Sequence, residues 1–276
     1  MTTRAYFGFP RVTDSFAYSG GNWQSLLPLA SLQRLPLSYV ARSTDATTGS
    51  TVIIATAPAS VQASVLALIG HNLTQSATWR IRTWTDTAGT TGLVDSGSIA
   101  VWPASYTAAE VSGAVATALY RFANPGPSTV GKIEIDINDT TNPAGYVQAG
   151  FLEIAAAFDV TYNFSFGAQY SFTWRSQLTE AIGGAEYVNR LDHPRMFKGT
   201  FDFSPRTDSL GKFYEMQRQL KFDIPVLFVP LPSETTHLLR TAMFARQADP
   251  GPTTMKAVGP SGLLDAVPLA LREIIG

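Results

Sequence analysis

The stretch Lys132-Ile133-Glu134-Ile135-Asp136-Ile137-Asn138 indicates the fold class, because it alternates strictly between polar and apolar side chains. A period of two with β-branched residues is typical of a strand that buries one face and exposes the other. Thr78–Trp84 follows the same rule, with Trp79 facing one way and Arg80 and Arg82 the other. Both stretches therefore predict strands of a sheet that covers an apolar core on one side only.

Further apolar segments between residues 25 and 165 are short and are separated by Gly, Ser, Thr and Pro, which favour turns. They are Thr51–Ala55, Ser64–Ile69, Ser98–Trp102 and Gly150–Phe158. The one helical candidate is the alanine-rich Thr107–Phe122, so amphipathic helices do not alternate with the strands. Short strands without crossover helices predict an antiparallel β-sandwich.

Residues 166–276 show a different pattern, which predicts a second β module of the sandwich or barrel type. Tyr170–Arg175 alternates aromatic and polar residues, with Tyr170, Phe172 and Trp174 on one face. Met196–Phe203 likewise places three phenylalanines on one face, at 197, 201 and 203. Pro225–Pro232 reads as a buried strand that is bounded by prolines.

One α-helix is predicted to pack on this second module, over about residues 207–220. Its apolar residues recur at helical spacing, at Leu210, Phe213, Tyr214 and Leu220. Thr207 and Asp208 precede them as candidate N-caps. The fold class predicted for the whole chain is therefore mostly β, with one sandwich in the first half and a second β module that carries a helix.

Residues 1–24 predict an N-terminal arm without a regular period. The segment holds six aromatic residues, more than an irregular stretch can bury by itself, so we expect it to pack on another surface. That surface is either the rest of this chain or a neighbouring subunit. The candidates for an inter-subunit contact are Tyr6, Phe7, Phe9, Phe16 and Tyr18.

The composition excludes several classes of partner. Charged residues make up 15% of the 276 residues, against a usual share of about 25%, and hydrophobic residues make up 45%. The net charge is −1 and basic residues form no run, so nucleic-acid binding is not expected. Apolar stretches fall far short of the roughly 20 residues that span a bilayer, so we expect a soluble protein without a membrane partner. Low charge suits a β protein that buries surface against other subunits.

Motifs for catalysis are missing from the sequence. Cysteine is absent, which excludes thiolate catalysis, disulfides and cysteine-ligated metals. The three histidines, at 71, 193 and 237, stand apart, and neither HExxH nor GxSxG occurs. The sequence therefore predicts a protein that is not an enzyme, with no catalytic residue, no cofactor and no metal.

One carboxylate cluster, Asp136, Asn138 and Asp139, has oxygen ligands of the kind that Ca²⁺ prefers. Residues 138–143 also have the composition of a turn, and we interpret them as a turn, with calcium as the alternative. His71 ends an apolar segment and is interpreted as a structural residue.

Tryptophans suggest a different kind of site, because exposed indole rings stack on the apolar faces of sugars. Trp84 shares its strand face with the two arginines of Thr78–Trp84, so it is the least suited of the tryptophans to a core. The candidate contacts to a glycan or a partner protein are Trp84, Trp102, Arg80 and Arg82. The alternative is that these tryptophans fill the space between the two sheets.

Several phrases of the first half together resemble a galactose-binding-like (discoidin-type) jelly roll, of the version found in tail proteins of tailed phages and prophages. The phrases are Val40-Ala-Arg-Ser-Thr-Asp45, Thr51–Ile54, Leu66–Leu73 and Trp79–Arg82. In the second half, Phe197–Phe203, a helix and Ile224–Pro232 are similar to distal-tail and baseplate proteins. Arg42, His71 and Asn72 match the phrases, and we expect them to pin loops.

The resemblance implies a jelly-roll domain over residues 25–165 and a distal-tail-like module over 166–276. It implies a structural subunit of a phage tail tip, assembled in the host bacterial cytoplasm and located in the virion tail. Such a subunit would form a ring, expected to be a hexamer, and would contact copies of itself and other tail proteins. The alternative function is a carbohydrate-binding module that attaches to host surface glycans. A glycan-degrading enzyme is the third hypothesis, and it needs two carboxylates at catalytic separation.

Overall fold

The computed structural model describes residues 4–113, 116–122, 128–249, 251–259 and 262–275. These residues form two compact units. Unit 1 contains the described residues of 4–159 and 227–242, and unit 2 contains those of 160–226 and 243–275. Residues 227–242 therefore belong with unit 1, although they fall inside the range assigned to the second module from the sequence.

The mostly β prediction is confirmed. The strands of the first half are β1 (Tyr6–Arg11), β2 (Ala17–Ser19), β3 (Ala41–Arg42), β4 (Ile53–Ala63), β5 (Val65–Ile69), β6 (Thr78–Trp84), β7 (Val94–Ala100), β8 (Thr117–Arg121), β9 (Ser128–Asn138), β10 (Gln148–Ala149) and β11 (Phe151–Asp159). Those of the second half are β12 (Gln169–Phe172), β13 (Gln177–Glu180), β14 (Glu186–Asn189), β15 (Arg195–Pro205), β16 (Val226–Val229), β17 (Met243–Gln247), β18 (Thr254–Gly259) and β19 (Gly262–Glu273).

Helical segments are short. They are two 3₁₀ turns at Thr13–Ser15 and Leu29–Gln33, then α1 (Ala108–Gly113), α2 (Arg206–Asp208), a π-helical turn at Ser209–Tyr214, α3 (Glu215–Leu220) and α4 (Leu238–Thr241). In the part of the chain that the structure describes, no helix is both long and apolar enough to cross a membrane.

Unit 1 is an antiparallel sandwich of two sheets, as the alternating strands predict. One sheet has the order β2-β4-β9-β6-β7, and the other contains β16-β1-β11-β5-β8. The three isoleucines of β9 and Trp79 of β6 are buried on the inner face of the first sheet. Leu66 and Leu68 of β5 and Ile154 of β11 join the same core from the second sheet. The core therefore lies between the sheets and leaves the outer face of β6 and β9 to polar side chains.

The helix predicted over Thr107–Phe122 is wrong in its second half. Helix α1 covers Ala108–Gly113, whereas Thr117–Arg121 forms β8, which pairs with β5. Pairing with β5 satisfies the backbone groups along one edge of residues 117–121, and Ala118 is buried in the core. Tertiary pairing thus overrides the weak helix propensity of an alanine-rich segment.

Unit 2 contains a sheet of order β12-β15-β19-β17, with β18 paired to β19, and a separate hairpin of β13 and β14. Its core is aromatic. Phe197 and Phe201 of β15 are fully buried, and Phe164 meets both rings edge-on. Phe213 lies 5.0 Å from Phe201 between ring centroids and brings the helical segment onto the sheet. The prediction of a second β module with one packed helix is confirmed.

Phe203 does not share the buried face of Phe197 and Phe201. The pairing of β15 with β19 shifts register between Phe201 and Ser204. Phe203 takes a positive φ of 61° at this bulge, and its side chain is 55% exposed. A bulge inserts one unpaired residue and turns the following side chains, which a strict period of two cannot anticipate.

The helical segment predicted over 207–220 spans 206–220, but its buried face differs from the predicted stripe. Phe213 and Leu220 are buried, whereas Leu210 and Tyr214 are exposed. The π-helical turn at Ser209–Tyr214 adds residues to a turn and shifts the phase of the side chains. Asp208 lies inside the segment rather than at its N-cap, and its carboxylate accepts a hydrogen bond from the Thr161 backbone N–H at 2.7 Å.

Candidate functional site

Three of the predicted contact residues, Arg80, Arg82 and Trp84, lie on the outer face of β6. Directly opposite them on β9 are Asp136, Glu134 and Lys132, in that order. Opposite charges that face each other across a strand pair stabilise the sheet. The sequence pattern therefore placed these side chains on the correct face, and the structure adds a complementary row beside them.

Both guanidinium groups on this face are already paired. Arg82 Nη2 lies 2.8 Å from Glu134 Oε1 and 2.6 Å from Asp136 Oδ2. Arg80 Nε donates to Asp95 Oδ1 of β7 at 2.9 Å. The Arg80 hydrogen bonds hold the pKa of Asp95 at about 2, well below its usual range. A ligand at this face would have to compete with these ion pairs, which makes the two arginines poor anchors.

Trp84 is half-buried at the end of this row. The Nζ atom of Lys132 lies 4.9 Å from the centre of its ring and so occupies part of the surface that a sugar would need. In the loop that follows, Asp86 accepts the backbone N–H groups of Thr91 at 2.8 Å and Thr90 at 3.0 Å. These bonds hold the pKa of Asp86 well below its usual range. Trp84 itself is a partly accessible aromatic group.

Trp102 is buried, which corrects its assignment as a candidate contact. Its side chain is 3% exposed, and its Nε1–H donates to the Leu73 carbonyl at 3.1 Å. The ring packs against His71 and Tyr106, with centroid separations of 5.4 Å and 5.8 Å. The alternative, that tryptophans fill the space between the two sheets, is correct for Trp102 and Trp79.

His71 is a neutral structural residue in this core. Its Nδ1 accepts the backbone N–H of Leu73 at 3.2 Å, and its ring meets Trp102 edge-on. Burial lowers the pKa of His71 to about 3. The imidazole therefore stays uncharged at neutral pH, and it cannot serve there as a general acid.

Asp136 and Asp139, two members of the candidate calcium cluster, bind different partners. Asp136 pairs with Arg82, whereas Asp139 accepts the Thr74 backbone N–H at 2.9 Å and Asn142 Nδ2 at 2.8 Å. The Asn142 backbone N–H closes a turn on the Asp139 carbonyl. This geometry is the turn interpretation of the segment. Among the described residues, no group of three or more His, Asp or Glu side chains is arranged to hold a metal ion.

The polar residues of the resemblance phrases link loops, as expected. Arg42 donates to Gln148 Oε1 at 2.6 Å and lies 4.2 Å over the ring of Tyr146. Asn72 donates to the Tyr146 carbonyl at 3.0 Å and accepts the Gln148 backbone N–H at 2.7 Å. The side chains of Arg42 and Asn72 therefore make these hydrogen bonds to other residues of unit 1.

The aromatic residues of the predicted arm lie within unit 1. Phe7 of β1 stacks between Phe158 and Phe228, at centroid distances of 5.3 Å and 4.8 Å. Tyr6 and Phe9 are buried as well, Phe16 belongs to the sandwich core, and Tyr18 is half-buried against that core. Of the two readings of the arm, the structure therefore matches packing on its own chain. Backbone pairing of β1 with β11 and β16 holds the segment there.

The most conspicuous surface was not recognised from the sequence. Within the described residues, exposed large apolar side chains are concentrated in unit 2, whereas unit 1 has only Leu26, Tyr39, Leu93 and Val94. Tyr170, Phe172 and Trp174, which the alternation predicts on one face, are 46%, 57% and 80% exposed. Large exposed apolar patches on soluble proteins mark interaction sites.

The β13–β14 hairpin continues this apolar surface. Leu178 of β13 faces Val188 of β14, and the two side chains are 60% and 54% exposed. Tyr187 is 65% exposed on the other side of the hairpin, because neighbouring residues of a strand point to opposite faces. We call the exposed residues Trp174, Leu178, Tyr187 and Val188 the hairpin surface.

The hairpin stands apart from the other strands of unit 2. In the described part of the chain, β13 and β14 pair only with each other, so both outer edges keep free backbone donors and acceptors. At its base, the Arg175 backbone N–H donates to His193 Nδ1, and Trp174 meets the His193 ring edge-on. Gly183 and Gly184 between Glu180 and Glu186 are the signal that predicts a hairpin turn here.

Comparisons with known proteins found similar solved structures but no similar sequence family. No protein-family model matches the sequence, and no curated protein matches it. Among solved structures, a family 32 carbohydrate-binding module from Clostridium perfringens NanJ in complex with galactose is 10% identical, with a TM-score of 0.40. The match covers 55% of this chain and 99% of that module.

Two further modules of the same kind are similar. A family 32 module from a family 31 glycoside hydrolase of Clostridium perfringens is 14% identical, with a TM-score of 0.39, over 53% of this chain and 98% of the module. Another Clostridium perfringens family 32 module, in complex with GlcNAc-α-1,4-galactose, is 14% identical, with a TM-score of 0.35, over 54% and 96%. These scores are too low to carry an argument about function.

Proposed function

We propose that this chain is a non-catalytic, self-assembling structural subunit, and that the assembly is the tail tip of a tailed phage or prophage. The observation that carries the self-assembly is the hairpin surface of unit 2, which exposes apolar side chains on a two-stranded element. An isolated two-stranded hairpin is marginally stable in water, so burial against a partner would stabilise it. The sequence resemblance to distal-tail and baseplate proteins supports the finer identification of the assembly.

A second copy of this chain is the occupant that we assign to the hairpin surface. The outer edges of β13 and β14 are open, and strand edges of two copies can complete each other's hydrogen bonds. The net charge of −1 gives two copies little mutual repulsion. Contacts of the head-to-tail kind generate closed rings when the rotation between copies closes. The proposed product is a homo-oligomeric ring, with a hexamer as the expected size.

Light scattering on the purified protein, over a range of concentrations, tests this proposal. We expect the wild type to form a closed oligomer, and Leu178→Ser/Val188→Ser to shift it towards monomer with an at least roughly tenfold higher dissociation constant. The matched control is Leu93→Ser/Val94→Ser, which removes the same two side-chain types from exposed positions of unit 1. A wild type that stays monomeric at every concentration, or equal effects of the two double variants, would contradict self-assembly through the hairpin.

Glycan binding by unit 1 is the second candidate function. It rests on Trp84, a partly exposed ring at the end of β6. If it is correct, the protein binds members of a glycan array, and Trp84→Ala weakens that binding by roughly tenfold or more because stacking area is lost. Tyr39→Ala, at an exposed aromatic position elsewhere in unit 1, serves as the control and should bind normally. An array without specific signal would contradict glycan binding by unit 1.

A further inference from the structure

A basic cleft lies in unit 2, with a volume of about 490 Å³. Three arginines line it, Arg175, Arg246 and Arg272, together with the apolar side chains of Phe222 and Ile274. Arg246 of β17 and Arg272 of β19 are directly opposite each other in the antiparallel pair. Like charges in that position destabilise the sheet unless an anion lies between them.

The cleft does not neutralise its own arginines. Glu273 also lines it, but its carboxylate is engaged by Arg195, whose Nε donates at 2.8 Å and whose backbone N–H donates at 3.1 Å. Within the described ranges, Arg246 and Arg272 have no ion-pair partner. The arginine pair therefore lacks a counter-charge of its own, so the cleft suits an anionic ligand.

The tip of the β13–β14 hairpin has the opposite character. Glu180 and Glu186 are directly opposite each other, both exposed, and neither is in an ion pair within the described chain. Between them the Ala181 backbone N–H donates to the Ala185 carbonyl at 2.8 Å and closes the turn. Ile182 at the end of the turn is fully exposed. The tip therefore presents two carboxylates and, in the turn beyond them, an exposed apolar side chain.

The two features match in spacing as well as in charge. Residues directly opposite each other in an antiparallel pair have Cβ atoms about 4.5–5.5 Å apart. This holds for Glu180 and Glu186 in the tip, and for Arg246 and Arg272 in the cleft. Two carboxylates at that separation suit two guanidinium groups at the same separation, and arginine is the side chain best suited to binding carboxylates.

We propose that the hairpin tip of one copy docks into the arginine cleft of the next copy. Glu180 and Glu186 pair with Arg246 and Arg272, and Ile182 packs on the apolar part of the cleft beside Phe222. The tip and the cleft are different surfaces, so the contact is head-to-tail and extends from copy to copy until a ring closes. This inference rests on the proposed self-assembly and names the contact that drives it.

Charge reversal on each side tests the docking. Glu180→Lys/Glu186→Lys and Arg246→Glu/Arg272→Glu should each raise the dissociation constant of the oligomer by roughly 100-fold or more, because like charges then meet at the contact. A mixture of the two variants should reassemble, since the lysine tip of one faces the glutamate cleft of the other. Light scattering of each variant and of the mixture measures both effects, and far-UV circular dichroism checks that the variants are folded.

The control reverses exposed charges outside both features, as Arg34→Glu/Glu234→Lys, and should assemble like the wild type. If the wild type assembles and both reversed variants still do, the docking is overturned while self-assembly stands. If each variant dissociates but the mixture does not reassemble, tip and cleft do not meet, which also overturns the docking, and glucuronate and inorganic phosphate are then tested as small ligands of the cleft. A monomeric wild type overturns the docking together with self-assembly.

Discussion

Replacing Trp79 with alanine is expected to lower the free energy of unfolding of unit 1 by about 3–5 kcal/mol. Trp79 is 2% exposed and is among the largest fully buried side chains of the protein. On β6 it lies opposite Ile137 of β9 and Ile99 of β7, in the middle of the sheet. The alanine variant loses the transfer free energy of the indole and leaves a cavity that strands on both sides prevent from collapsing.

Urea unfolding followed by far-UV circular dichroism measures this loss. The control is Tyr39→Ala, which removes an aromatic ring from a position of unit 1 that is 56% exposed. We expect the control to change the unfolding free energy by less than about 0.5 kcal/mol. Equal losses for the two variants would mean that Trp79 does not hold the sandwich together.

The second large effect is a dependence of stability on pH that comes from Glu153. This residue of β11 is completely buried, and among the described residues its Oε2 receives one long hydrogen bond, 3.4 Å from Thr13 Oγ1, while its Oε1 has no partner. Burial raises the pKa of Glu153 well above its ordinary value. The charge of Arg11 opposes this rise, but Arg11 is paired with Asp14 at 2.6 Å. The carboxyl group therefore stays protonated in the folded protein well above the pH at which it ionises in the unfolded chain.

The sign of the effect follows from proton counting. Above an ordinary glutamate pKa of about 4.3, the unfolded chain has lost this proton while the folded chain retains it. The stabilisation is complete below that pKa, and it is lost as pH rises towards the raised pKa of the folded state. Each pH unit in this window lowers the unfolding free energy of the wild type by up to about 1.4 kcal/mol.

Glu153→Gln removes this dependence, because the amide keeps the shape of the protonated acid and does not ionise. We expect the variant to gain stability relative to the wild type as pH rises from about 5 to about 8, by up to about 1.4 kcal/mol for each pH unit below the raised pKa of the folded state. Urea unfolding of both proteins across that range gives the difference directly, and Glu234→Gln, at an exposed position of unit 1, should track the wild type. Parallel curves for Glu153→Gln and the wild type would show that water reaches the carboxylate.

The two units differ in how their surfaces are used, and this difference underlies the proposed function. On the outer face of β6 and β9 in unit 1, Arg80, Arg82 and Lys132 already have partners within the sheet. Unit 2 instead exposes the hairpin surface and keeps Arg246 and Arg272 side by side. Opposed like charges and exposed apolar side chains both cost free energy in an isolated subunit, and docking between copies would relieve both.

The sequence by itself determined those elements that depend only on the spacing of apolar residues along the chain or on hydrogen bonds between near neighbours. The alternation of Lys132–Asn138 and Thr78–Trp84 determined which side chains of β9 and β6 face the core. A shift of register by one residue would move the apolar side chains of such a strand to the solvent face. The helix at 206–220 and the turn at Asp139 and Asn142 followed equally from local spacing and local hydrogen bonds.

Tertiary structure decided everything that depends on a distant neighbour. Thr117–Arg121 became a strand because β5 offered it a pairing edge, and Trp102 became core because Leu73 accepted its N–H. The period-two pattern puts Tyr170 and Phe172 of β12 on one face, but a pattern does not say whether another layer covers that face. In the same way, Arg246 and Arg272 are far apart in the chain, and only the pairing of β17 with β19 brings their charges together. Packing decides whether another layer covers a strand face and which distant residues come together. The sequence of one chain carries no local signal for either.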